Sequence, residues 1–211
     1  MPKRPSLGNQ IRVVRLLRRS FSRNNRPLCT VDAVVSKYHP LQISTIMPAK
    51  PADLFTFLDQ LEISYHTAHH PALFTVDQSQ ALRGQIPGGH SKNLFLKDKK
   101  GALFLVVALE DATIDLKTLQ HSLGSARFSF GSADLLRATL GVEPGAVTPF
   151  AAINDNEQKV TIILDAAMME HERLNFHPLA NTMTTSIGRE DLLKFLEATG
   201  HRARVVPISR A

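Results

Sequence analysis

From Pro48 onward, short apolar segments of helical and strand period alternate, separated by Gly, Pro, Asn or Asp breaks. No strand–helix–strand rhythm is sustained, and no internal repeat occurs. This interleaving predicts an α+β domain, with a mixed, largely antiparallel sheet and surrounding helices, over a doubly wound fold. Pro51 and Asp53 open a helix whose apolar face is Leu54, Phe55, Leu58 and Leu61, since proline suits the first turn and an acid suits the positive helix end. A short strand near Tyr65–Ala68 leads to His69-His70-Pro71, and Val76–Leu82 reads as a second helix. After the turn-rich Ile86–His90, Ser91–Lys97 reads as a strand, and Asp98–Gly101 as a hairpin turn into Ala102–Leu109. Helices are predicted over Leu116–Leu123 and Ser132–Leu140, the latter capped by Ser132. A Gly/Pro loop spans Gly141–Pro149. Val160–Leu164, Leu174–His177 and Thr182–Ile187 read as strands. The last helix, Arg189–Thr199, buries Leu192, Leu193 and Leu196 and stops at Gly200, a left-handed C′ residue. Arg204–Ile208 reads as a closing strand.

Residues 1–46 differ in kind. Of the 25 Lys/Arg in the chain, nine lie here against one acid, Asp32, a net of +8; the remaining 16 bases face 18 of the 19 acids, a net of −2. The basic character therefore belongs to a leader, and residues 47–211 form a nearly neutral domain. A domain of that charge can bind RNA only through a local patch, not through a global field. Ile11, Val14, Leu17 and Phe21, with arginines between them, have the spacing of a basic amphipathic helix. The leader fits a targeting presequence, a tail that holds nucleic-acid phosphates, or a stretch that is not translated because synthesis begins at Met47. The compartment expected is the cytoplasm unless the leader directs the chain to an organelle.

Several chemistries are excluded. No apolar run approaches the roughly 20 residues that span a bilayer, so no membrane partner is expected. Cys29, the single cysteine, rules out an internal disulfide and a cysteine-based metal cage. No Gly-x-Ser-x-Gly elbow and no phosphate-binding Gly-x-x-x-x-Gly-Lys-Ser/Thr loop occurs. His66, His69, His70 and His90 lack the usual ligand spacings, so no metal and no cofactor is expected. What remains is Gly-rich loops around one lysine and one histidine: Lys92-Asn93 after Pro-Gly-Gly-His, the loop Gly145-Ala-Val-Thr-Pro149, and His177-Pro178 at a strand end. Each has an ordinary reading as well, as a solvated lysine, plain turn residues and a structural histidine.

Three stretches, in this order, resemble the YbaK/prolyl-tRNA-synthetase-associated editing domain family. They are Ser91-Lys92-Asn93-Leu94-Phe95-Leu96-Lys97-Asp98, then Gly145-Ala146-Val147-Thr148-Pro149-Phe150, then Asn175-Phe176-His177-Pro178-Leu179 with Asn181-Thr182 and Thr184-Thr185 behind it. The likeness covers residues 48–207 and is greatest to the free-standing branch (ProXp-ala/PrdX) that deacylates alanine-charged proline tRNA. The resemblance implies Lys92, His177 and Gly145 as catalytic positions, and Asn93, Ala146 and Pro149 as substrate-binding ones. It also implies a mischarged proline tRNA as partner, held at its acceptor end, with prolyl-tRNA synthetase as a second. Ala151 stands where some relatives have glycine, which leaves pocket size, and so the preferred amino acid, open. Alternatives are a deacylase for another small amino acid, such as cysteine on proline tRNA, and a non-catalytic tRNA- or synthetase-binding module.

Overall fold

The structure, a computed structural model, describes residues 47–72 and 86–208. The basic leader and the predicted helix Val76–Leu82 lie outside the described residues. Helix α1 (Pro51–Gln60) starts at the predicted proline, and Asp53 Oδ2 accepts the Lys50 main-chain N–H at 2.8 Å, closing the first turn. Its buried stripe is Leu54 and Leu58, with Phe55 packed beside them.

The strands are β1 (Tyr65–His69), β2 (Gly89–Asp98), β3 (Leu103–Leu109), β4 (Phe128–Phe130), β5 (Val160–Asp165), β6 (Arg173–Phe176), β7 (Met183–Gly188) and β8 (Arg204–Val206). Among the described residues they form one eight-stranded sheet in the order β1-β7-β6-β2-β3-β5-β8, with β4 paired to β2 off that path. The ladders β1–β7, β6–β7, β2–β3 and β2–β4 are antiparallel, whereas β2–β6, β3–β5 and β5–β8 are parallel. The sheet is mixed, as the interleaved sequence pattern requires. β2 is its hinge of connectivity. On one side it pairs β3 from Ser91 to Lys97; on the other it pairs first β6, at Gly89 and His90, and later β4, from Leu96 to Asp98.

Side chains alternate across each strand, so the sheet has two faces. Phe95, Leu105, Val107, Leu164, Leu174, Phe176 and Ile187 enter the larger core. It is closed by α1, by α3 (Ala133–Leu140), by α4 (Arg189–Ala198) and by a 3₁₀ turn, Pro149–Asn154. On the opposite face Leu96, Phe104, Val106 and Ile163 form a smaller core under Leu119 of α2 (Leu116–Leu123). The capping expectations hold. Ser132 Oγ accepts the Leu135 N–H at 3.2 Å, and Gly200 adopts φ +83° just past α4. Leu193 is only half-buried, and Phe195 takes its place on the inward face of α4 with Leu192 and Leu196.

Candidate functional site

β2 carries Lys92 and Asn93 side by side, and strand alternation sends them to opposite faces. Asn93 has the parity of Phe95, which enters the larger core; Lys92 has that of Leu94 and Leu96, on the side of α2. The Lys92 ammonium donates to the main-chain carbonyl of Ala112, in the connection from β3 to α2, which uses one of its three N–H donors. Asn93 Oδ1 is buried and has no hydrogen-bond partner among the described residues.

β6 runs parallel to β2 at Gly89↔Leu174 and His90↔Asn175, and Ser91 Oγ donates to Asn175 O at 3.0 Å. The ladder ends there. Two residues further along stand Lys92, still on β2, and His177, one residue past the end of β6. Leu174 and Phe176 point into the larger core, so His177 follows Asn175 to the other face, the one that Lys92 occupies. The His177 ring centroid lies 6.2 Å from that of His70, whose Nε2 is hydrogen-bonded to Thr184 Oγ1 at 2.9 Å.

The surroundings of His177 favour its neutral form. Burial pushes its imidazolium pKa below the ordinary histidine value; the hydrogen bond to the Met183 carbonyl opposes this in part, and the nearby His70 adds to it. A carbonyl only accepts, so the 2.9 Å contact with Met183 O makes Nδ1 the protonated nitrogen. In the neutral ring Nε2 is then a lone-pair acceptor.

Gly145 adopts φ +90°, and a Cβ added there would meet only the Asn181 side-chain amide, at 3.7 Å. This glycine therefore faces the connection between β6 and β7. That connection turns through Leu179 at φ +64°, a conformation that costs an L side chain energy and concentrates at functional segments. Ala146 and Pro149 are buried, and Thr148 Oγ1 accepts the Phe150 N–H at 3.3 Å to start the 3₁₀ turn. Their side chains hold the loop onto the core. The fold thus brings Gly145 to the loop that follows His177 and sets Lys92 and His177 on one face of the sheet, with Asn93 turned to the other. The sequence reading weighed His70 only as a metal ligand and Thr184 only as part of the family-like stretch; that His70, bound to Thr184, stands beside His177 follows from the pairing of β1 with β7 through Ala68↔Thr184. Among the described residues no three His, Cys, Asp or Glu side chains gather as a metal would need. A separate hollow of about 170 Å³ lies between the start of α1 and α3, lined by Met47, Ala49, Arg137, Gly141 and Asn154. It holds none of these candidates, and its one cation is bound to Glu143 and Asp134.

The sequence profile of the aminoacyl-tRNA editing domain matches residues 70–195, well over half of the chain. The chain belongs to the aminoacyl-tRNA editing domain family. This editing domain is 36% identical over 163 residues to the prolyl-tRNA editing protein ProX of Acetoanaerobium sticklandii, covering 77% of the present chain and 99% of that protein. It is 38% identical over 151 residues to the prolyl-tRNA synthetase associated domain-containing protein 1 of Danio rerio, covering 71% and 82%. A crystal structure of a candidate trans-editing enzyme for prolyl tRNA synthetase superposes with a TM-score of 0.59 over 77% of the chain and 99% of that structure. At 16% identity that likeness speaks for the editing-domain fold alone. In this editing domain no described helix is long and apolar enough to cross a membrane.

Proposed function

We propose that this chain acts in trans on proline tRNA mischarged with alanine, hydrolysing the aminoacyl ester. The observation that carries the reading is the alignment with a prolyl-tRNA editing protein across 99% of that protein's length. The ester is already activated, so water adds to the carbonyl carbon without a covalent enzyme intermediate. The bond from that carbon to the ribose oxygen then breaks, releasing the amino acid and restoring the ribose hydroxyl.

Each candidate residue has work suited to its chemistry. Lys92 offers a compact positive charge for a phosphate of the tRNA end. Gly145 exposes main-chain groups with no side chain in the way, and an oxyanion donor of that kind contributes roughly 3–4 kcal/mol. The neutral Nε2 of His177 accepts a hydrogen bond from the attacking water or from the neighbouring ribose hydroxyl. Ala146 and Pro149 fix the loop, and Asn93 offers an unused acceptor. Prolyl-tRNA synthetase, which makes the mischarged product, is the natural second partner.

Alanine is favoured by selectivity arithmetic. A pocket built for proline cannot exclude a smaller amino acid, because missing methylenes cost only about 1–3 kcal/mol. A second, smaller pocket corrects the error, and overfilling it is harder than underfilling the first. Purified protein incubated with proline tRNA charged with alanine, cysteine, serine or proline tests the reading. Alanine is expected to be released rapidly and proline retained. Preferred release of cysteine identifies a sibling specificity, release of none identifies a binding module, and rapid loss of proline rejects editing. Lys92→Ala is expected to keep the fold by circular dichroism and lose deacylation by more than about a hundredfold; retained activity removes Lys92 from the site.

A further inference from the structure

In an antiparallel ladder, successive residues direct their N–H and C=O alternately toward the partner strand and away from it. On β2, His90 O accepts from Glu110 N at 2.9 Å and Asp98 N donates to Ala102 O at 2.9 Å, so the even-numbered residues face β3. Phe95 O accepts from Gly131 N at 2.9 Å on the opposite side, where the odd-numbered residues point. Asn93 is odd. Its N–H and C=O therefore aim into the interval between the β6 ladder, which ends at His90, and the β4 ladder, which begins at Leu96. Among the described residues neither ladder reaches it, and its Oδ1 is buried and also unpartnered. One residue in mid-sheet thus leaves a main-chain donor, a main-chain acceptor and a side-chain acceptor unused. A buried acceptor is otherwise almost always satisfied, so the orphaned Oδ1 beside two open main-chain groups points to a ligand.

We infer that the aminoacyl group of the substrate docks at Asn93 as a single-residue strand. This rests on the deacylase reading. An α-aminoacyl ester carries an ammonium donor and a carbonyl acceptor on either side of one α-carbon, as a strand residue does. Paired with Asn93, its ammonium donates to Asn93 O, and its carbonyl accepts the Asn93 main-chain N–H. That N–H is aimed where negative charge develops when water adds, so the bond strengthens in the transition state. Residues paired in a sheet project their side chains to the same face. The substrate side chain then lies on the side of Asn93 and of its ladder partner Val107, which is fully buried.

The test removes one hydrogen. The full chain is made with the α-hydroxy analogue of asparagine in place of Asn93, so that an ester replaces the amide and only the N–H is lost. A matched chain carries the α-hydroxy analogue of leucine in place of Leu96, whose N–H faces β3. Deacylation of alanine-charged proline tRNA is expected to fall about 100- to 1000-fold in the first and to stay near the unmodified rate in the second. On the unmodified protein, the propionyl ester of the same tRNA, which lacks the ammonium, is expected to be cleaved about tenfold or more slowly than the alanyl ester. If the Asn93 ester leaves the rate intact, or the propionyl ester is cleaved as fast as the alanyl one, the pairing is wrong while the deacylase reading stands. If the unmodified chain releases no amino acid at all, the deacylase reading falls and takes the pairing with it.

Discussion

His177 couples the candidate chemistry to pH. Its conjugate acid is disfavoured by burial and by His70, so the folded chain binds this proton less readily than an exposed histidine does. The acid limb of the deacylation profile is therefore expected below the usual histidine range, and a limb at or above about pH 6.5 would remove His177 from the reaction. The same shift affects stability. The unfolded chain binds this proton more readily than the folded one, so the His177 contribution is complete above about pH 6.5 and is lost as pH falls from there toward the lower folded value. His177→Gln keeps a side-chain amide able to donate to Met183 O, and is expected to flatten the acid limb of the rate while leaving urea midpoints nearly unchanged.

Among the elements, the loop from Gly141 to Pro149 links backbone conformation to the site. At φ +90° and with open space beside it, Gly145 is constrained by its dihedral and not by crowding. Gly145→Ala is expected to cost about 1–2 kcal/mol, read as a lower denaturant midpoint, and to reduce deacylation beyond what the loss of folded protein explains. Much of this level was legible in the sequence. The period of Leu54 and Leu58, the proline at the first turn of α1, the Ser132 cap and the Gly200 stop specify their helices by local chemistry alone. β4 was not legible. Phe128-Ser129-Phe130 is too short to show a period, and it becomes a strand only because the end of β2 offers it a ladder. The 3₁₀ turn Pro149–Asn154 carries no local signal either, since its apolar run Phe150–Ile153 has no polar face and is specified by burial. Within the site, the types of Lys92, Gly145 and His177 stood out locally. Which face of the sheet Lys92 and Asn93 each take, and that His70 joins His177, follow from pairings between strands far apart in the chain.

At the scale of the whole molecule, a buried polar pair adds to the β5–β8 ladder and the packed face of α4 in holding the C-terminal part. Asp155 follows the 3₁₀ turn, His201 follows α4, and Asp155 Oδ2 meets His201 Nε2 at 3.1 Å with both residues almost fully enclosed. Burial pushes the Asp155 carboxyl up, but the hydrogen bond from His201 and the N–H groups of Lys159 and Val160 outweigh it and leave the pKa below the ordinary aspartate value. Its stabilising contribution is therefore present above about pH 4 and disappears as pH falls through the depressed folded value. His201→Ala is expected to cost about 1–3 kcal/mol and to reduce that acid sensitivity, measured as urea midpoints across an acid series; an unchanged midpoint would make the pair incidental. The alternation along β2 carries a different kind of consequence. Since a shift of one residue turns every side chain over, inserting or deleting a single residue between Gly89 and Lys92 would swap the ammonium and the amide between the two sides of the sheet.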